Sequence, residues 1–87
     1  MNIPFKFLSL YFKSKNNLMK LNRIKEALKE KNLTQVWLAD KLCKSFKMVN
    51  AYACNRKQPS LETLFTIADL LEISVKDLIV DNKEKQI

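Results

Sequence analysis

Residues 34–60 have the sequence TQVWLADKLCKSFKMVNAYACNRKQPS, in which apolar residues recur at helical spacing on both sides of a short polar turn. The positions that share a helix face are Leu38, Ala39 and Leu42 before the turn, and Val49, Tyr52 and Ala53 after it. Ser45 is a good N-cap for the second helix, because its hydroxyl can accept from backbone N–H groups two or three residues further on. The pattern predicts a helix–turn–helix, a motif that can offer its second helix to the major groove of DNA.

The order of these residues resembles the helix–turn–helix of the Cro/phage-repressor class, also called the xenobiotic-response-element family. That pattern is L-T-Q, two polar residues, L-A, two polar residues, L-G-V-S, a recognition helix, G-K and P-S. The matching positions are Leu33, Thr34, Gln35, Leu38, Ala39, Leu42, Ser45, Val49, Arg56, Pro59 and Ser60. The similarity extends over residues 21–79. It implies an all-α, five-helix lambda-repressor-like domain that binds double-stranded DNA as a transcriptional regulator.

The charge of the chain is positive and unevenly distributed. The 87 residues carry a formal net charge of +7 and are enough for one small domain. Residues 19–60 hold ten Lys or Arg against three acidic residues, whereas residues 61–87 hold three Lys against six. A basic half that contains the helix–turn–helix indicates a polyanionic partner, while the acidic half suggests a different surface.

The residue types that most enzymes and metal sites need are scarce. The chain has no His, and its two cysteines, Cys43 and Cys54, lack the spacing of a zinc site. We therefore expect reduced thiols in a cytoplasmic protein, with no metal or other cofactor. No pair of carboxylates shares a face and no Gly-rich phosphate loop is present, so an enzyme is the least expected class. The sequence has no run of about eighteen apolar residues, so we expect no transmembrane helix.

Three regions are expected along the chain. Residues 1–18 form an apolar and basic extension outside the family pattern, which we expect to be dispensable; an arm that covers a partner or caps the domain is the alternative. Residues 19–80 form the helix–turn–helix domain, and residues 81–87 form a polar tail that frays.

Five helices are expected within the domain. The first covers residues 21–31, the second 35–42, the third 46–54, and the last two follow the caps Ser60 and Ser74, with Asp77 completing a capping box. The expected core is Leu21, Ile24, Leu28, Leu38, Ala39, Leu42, Val49, Leu64, Ile67 and Leu71. Left-handed turn residues are expected at Asn32, Cys43 and Asn55. Leu28 and Ala53 replace a buried Arg–Glu pair found in many relatives.

The resemblance also implies a set of DNA-binding residues. Ser45 starts the recognition helix, and the positions that face base edges map to Phe46, Lys47, Asn50 and Ala51. Lys47 could donate to guanine, Asn50 could pair with adenine, and the two apolar side chains could pack on a thymine methyl. The positions expected to clamp the phosphate backbone are Gln35, Asn55, Arg56 and Lys57.

Three functions remain open at the level of the sequence. The leading hypothesis is a sequence-specific regulator that acts as a homodimer through Leu78, Ile79 and Val80. A second is the DNA-binding antitoxin of a toxin–antitoxin pair, with a partner protein on the C-terminal half. A third is a protein-interaction module that has kept the fold but not DNA binding.

Overall fold

The computed structural model describes residues 19–83, which contain four α-helices and one short 3-10 helix. The extension 1–18 and the last residues of the tail lie outside this range. In chain order the elements are α1 (Ile24–Glu30), α2 (Gln35–Leu42), α3 (Phe46–Ala53), α4 (Leu61–Leu71) and η1 (Val75–Leu78). Residues 19–83 contain no strand; their only β-type pairing is an isolated antiparallel bridge between Asn22 and Ile79. The all-α class is therefore confirmed.

Three hydroxyl caps fix where α2, α3 and α4 begin. Each side-chain oxygen accepts a hydrogen bond from the backbone N–H three residues further on: Thr34 from Trp37 at 3.0 Å, Ser45 from Met48 at 3.0 Å, and Ser60 from Thr63 at 3.1 Å. These bonds satisfy donors that the first turn of a helix leaves without a partner. The predicted starts of the three helices are confirmed.

The predicted fifth helix is wrong in type and length. Residues Val75–Leu78 form one 3-10 turn, and the Ser74 side chain makes no cap hydrogen bond. The chain turns extended at Ile79, where the N–H of Val80 donates to the carbonyl of Leu21 at 3.0 Å. Pairing with the segment before α1 thus replaces the bonds that would continue a helix. The described part of the chain holds four α-helices rather than five.

The same pairing delays the start of α1. The N–H of Arg23 donates to the carbonyl of Leu78 at 2.8 Å, so α1 begins at Ile24 rather than at Leu21. Leu21 lies in the extended segment and is 39 % exposed, so its predicted place in the core is wrong.

One hydrophobic core joins all the elements. Its buried members are Ile24, Ala27, Leu28, Leu38, Ala39, Val49, Tyr52, Ala53, Ile67, Ala68, Leu71 and Leu78. Leu42 and Leu64, which were expected to be core residues, are half-buried and pack against it. Leu78 is 0 % exposed, so this residue cannot belong to the predicted dimer surface. Leu28 and Ala53 are both buried, as expected for an apolar pair.

All four α-helices end without glycine. Asn32, Cys43, Asn55 and Glu72 follow them with φ between 55° and 60°, the left-handed conformation. In each case the next residue donates its N–H to the carbonyl five positions back, as Lys44 does to Ala39 at 3.0 Å. This is the Schellman arrangement, which usually selects Gly. The left-handed residues at 32, 43 and 55 are confirmed, whereas Glu72 was not foreseen.

Candidate nucleic-acid interface

Helix α3 buries one face and presents the other. Val49, Tyr52 and Ala53 lie in the core, against α2 and α1. The opposite face carries the four predicted base-reading positions: Phe46 and Lys47 are exposed, and Asn50 and Ala51 are half-buried. Phe46 is 52 % exposed, so its ring offers apolar surface on this face. The structure therefore brings these four side chains together on the outer face of α3.

Three of the predicted DNA-binding residues form one hydrogen-bonded chain across this face. The Arg56 guanidinium donates from Nη2 to Asn50 Oδ1 at 2.8 Å. Asn50 Nδ2 in turn donates to Gln35 Oε1 at 2.9 Å. Gln35 is the first residue of α2, Asn50 lies in the middle of α3, and Arg56 lies in the loop after it. The two hydrogen bonds thus connect the start of α2 to the loop after α3.

Asn55 differs from the other predicted phosphate ligands. Its Oδ1 accepts from the backbone N–H groups of Leu21 and Asn22, at 2.8 and 2.9 Å, and its own N–H donates to the Tyr52 carbonyl at 3.0 Å. Its Nδ2 donates to the Asn22 carbonyl at 3.3 Å. Because these groups are bonded within the protein, Asn55 supports the loop after α3, and its contact with phosphate stays a prediction.

The chain segment that contains α3 carries only basic charges. Residues 41–61 contain no Asp or Glu, and their five cationic residues are Lys41, Lys44, Lys47, Arg56 and Lys57. All five are exposed. Basic side chains without interspersed acids give a positive potential, which attracts a polyanion and accelerates its association.

A groove of about 470 Å³ beside α1 and η1 has a different character. It is lined by charges of both signs, including Arg23, Glu26, Glu30, Lys76 and Asp77. Partial burial raises the pKa of Glu26, but a hydrogen bond from Lys20 and the charges of Lys20 and Arg23 outweigh that effect and hold this pKa below its ordinary value. Such a mixed surface does not favour a polyanion, so the basic face of α3 is the candidate interface.

Sequence reasoning missed Asn22, which supports this interface from behind. Asn22 is 2 % exposed, and its Nδ2 donates to the Tyr52 carbonyl and to Gln58 Oε1 at 2.9 and 2.8 Å. Its Oδ1 accepts from the N–H of Ile24, the first residue of α1, at 3.0 Å, whereas the N-cap residue itself makes no side-chain cap bond. Asn readily bonds to the backbone two residues further on, so this local turn is one that the sequence can signal. Nothing local to Asn22 indicates its bonds to residues 52–58.

Membrane-spanning helices and metal-binding clusters are both absent from the described residues. None of the helices within residues 19–83 is long and apolar enough to cross a membrane. That part of the chain also contains no group of three or more Cys, Asp or Glu side chains arranged to hold a metal ion.

The chain is similar to known helix–turn–helix proteins. The helix–turn–helix family model matches residues 24–78. A stretch of 68 residues is 34 % identical to the HTH-type transcriptional regulator AnsR of Bacillus subtilis (strain 168); it covers 78 % of this chain and 59 % of that protein. The chain thus spans less than two thirds of the length of this relative.

A solved structure is also similar. It is the crystal structure of a candidate DNA-binding protein from Bacteroides fragilis, with 41 % identity and a TM-score of 0.69. The match covers 72 % of this chain and all of the other. The family match, the relative and the shared fold agree with the caps and turns described above. The chain therefore belongs to the helix–turn–helix family of the Cro/phage-repressor, or xenobiotic-response-element, type.

Proposed function

We propose that the protein is a DNA-binding transcriptional regulator that recognises a specific sequence by placing α3 in the major groove. The observation that carries the proposal is the outer face of α3, where Phe46 and Lys47 are exposed within a segment, 41–61, that has five basic residues and no acidic one. A relative named as a transcriptional regulator and a fold neighbour described as a candidate DNA-binding protein support it.

The proposal involves two kinds of contact. Lys47, in the first turn of α3, is the candidate for donating to guanine O6 or N7. Phe46 and Ala51 offer apolar surface to a thymine methyl. Gln35, at the N-terminus of α2, lies where backbone N–H groups and the helix dipole favour phosphate. Exposed Arg56 and Lys57, in the loop after α3, add cations to the phosphate contacts.

The functional unit is proposed to be a homodimer on a palindromic operator, because a domain of this size makes few base contacts alone. With Leu78 in the core, the remaining candidates for the dimer surface are Ile79, which is 43 % exposed, and the half-buried Val80. Leu21 lies beside them, since its carbonyl accepts from Val80, and it adds exposed apolar surface. Ile79→Glu should raise the dimer dissociation constant in sedimentation, while Lys83→Glu, an exposed charge change nearby, serves as the control.

The decisive experiment selects bound sequences from random double-stranded DNA. The selected duplex and a scrambled duplex of the same composition are then titrated with the protein at several salt concentrations. Preferential binding of one sequence family supports the proposal. Recovery of a small toxin bound to a protein that still prefers one duplex would favour the antitoxin, and binding of neither duplex would favour the interaction module.

A further inference from the structure

We propose that Asn50 is a positioning residue for the phosphate-binding side chains Arg56 and Gln35, and not a reader of adenine. The inference rests on the proposed DNA binding and goes beyond it, because it assigns one side chain of the recognition helix to a different task. The observation behind it is the hydrogen-bonded chain from Arg56 through Asn50 to Gln35.

The chemistry of the side chains determines which atom donates and which accepts in the two hydrogen bonds of Asn50. A guanidinium has only donors, so the Asn50 atom that Arg56 contacts must be the carbonyl oxygen. This orientation leaves Nδ2 to face Gln35, which must then present its own oxygen, Oε1. The acceptor oxygens of Asn50 and Gln35 are therefore both engaged within the protein.

The groups that remain available on this surface are mainly donors, beside one lone pair on each of the two engaged oxygens. Gln35 keeps its Nε2 group, Asn50 keeps one N–H, and Arg56 keeps the N–H groups that do not face Asn50. A phosphate has only acceptor oxygens and matches such a surface. Adenine requires a donor and an acceptor together at its N7 and N6 positions. Asn50 could read adenine only through its second N–H and the second lone pair of Oδ1, in the one orientation that its bonds to Arg56 and Gln35 fix.

The positions of the three residues fit the same interpretation. Gln35 and Arg56 are 21 positions apart in the sequence and lie on either side of Asn50. Arg56 is exposed and carries a long flexible stem, so a free guanidinium would sample many rotamers. The charge-assisted bond to Asn50 restricts that freedom before DNA arrives, which lowers the entropic cost of the phosphate contact.

The test titrates the selected and the scrambled duplex with Asn50→Ala at several salt concentrations. We expect affinity to fall about three- to tenfold on both duplexes, the size of one hydrogen bond, and the salt dependence to become shallower although Asn50 carries no charge. Phe46→Ala is the matched control: it is neutral, exposed and on the same face, and should weaken only the selected duplex with an unchanged salt slope.

A double variant tests whether Asn50 acts through Arg56. In an Arg56→Ala background, Asn50→Ala should weaken binding by less than it does in the wild type, because only the bond to Gln35 is left to lose. Circular dichroism checks that each variant is folded, and Asn50→Ser replaces the alanine variant if that one is not. The serine side chain is too short to reach both neighbours.

Three outcomes would overturn the inference. Loss of affinity confined to the selected duplex, with a changed preference at one base pair, would make Asn50 a reader. Full additivity with Arg56→Ala would show that the two residues act independently. Failure of the wild-type protein to bind either duplex would remove the proposed function itself, and only in that case would both proposals fall together.

Discussion

Asn22 and Asn55 are bonded to each other through their side chains and backbones, although 33 residues separate them. The Asn55 side chain accepts from the Asn22 N–H at 2.9 Å and donates to the Asn22 carbonyl at 3.3 Å. Asn22 also binds the Tyr52 carbonyl and Gln58 through its buried amide. The pair ties the segment before α1 to the loop after α3, which is the loop that carries Arg56.

Replacing Asn22 by Ala should lower the free energy of unfolding by about 1–3 kcal/mol, because two buried backbone groups and the exposed Gln58 side chain lose their hydrogen bonds. Asn55→Gly should cost a similar amount, since Gly keeps the left-handed backbone but removes the side chain. Asn32→Gly is the matched control: Asn32 has the same conformation, with φ 58°, and is exposed. Chemical denaturation measures all three, and an equal effect of the two glycine variants would contradict the prediction.

Cys43→Gly and Glu72→Gly should each stabilise the protein by about 0.5–1 kcal/mol. Both residues have φ near 55–60° with a Cβ, and relief of that strain should exceed the extra entropy that glycine loses on folding. Thermal or urea unfolding gives the change. Ala51→Gly, inside α3 with a right-handed backbone, should instead destabilise by about 1 kcal/mol. Destabilisation by both of the first two changes would show that the Cys43 and Glu72 side chains make favourable contacts.

Leu78→Ala and Ile67→Ala should each cost about 2–5 kcal/mol, because both side chains are fully buried. Leu42→Ala should cost less, since Leu42 is half-buried and water can enter the space that the change leaves. The free energies of unfolding are compared by urea titration. A Leu78→Ala variant that keeps its stability but loses self-association would mean that Leu78 serves an interface after all.

Lys57→Ala should weaken binding to the selected and the scrambled duplex alike, and reduce the slope of log K against log salt by about one unit, because one phosphate contact is lost. Lys47→Ala should act mainly on the selected duplex, by about 1–3 kcal/mol if Lys47 reads a guanine. Fluorescence titration at several salt concentrations separates the two. Equal losses on both duplexes for Lys47→Ala would mean that α3 does not read bases at this position.

Removal of residues 1–18 should leave folding and DNA binding intact. The twelve buried hydrophobic residues of the described core all lie between Ile24 and Leu78, so that this part has a core of its own. The thermal midpoint and the affinity for the selected duplex are compared with those of the full chain. A large loss of either would make the extension an integral part of the protein.

Local sequence was enough to determine where most helices begin and end. A hydroxyl at Thr34, Ser45 or Ser60 caps the next helix through atoms only three residues away, and a left-handed Asn ends a helix through its own backbone preference. The apolar spacing likewise determined the inner face of α3, and with it which residues face outward. These features depend on neighbours along the chain, so the sequence determined them by itself.

Only the tertiary structure decided the features that depend on residues far apart in the chain. The N–H of Val80 bonds to Leu21, which turns the fifth helix into a single 3-10 turn and delays the start of α1. The internal bonds of Asn55, whose amide is engaged by the segment at Asn22, were not foreseen. Asn50 was expected to be able to pair with adenine, and the structure bonds its two polar atoms to Arg56 and Gln35. A polar side chain bonds to whichever partner folding brings within about 3 Å, and no local pattern specifies that partner.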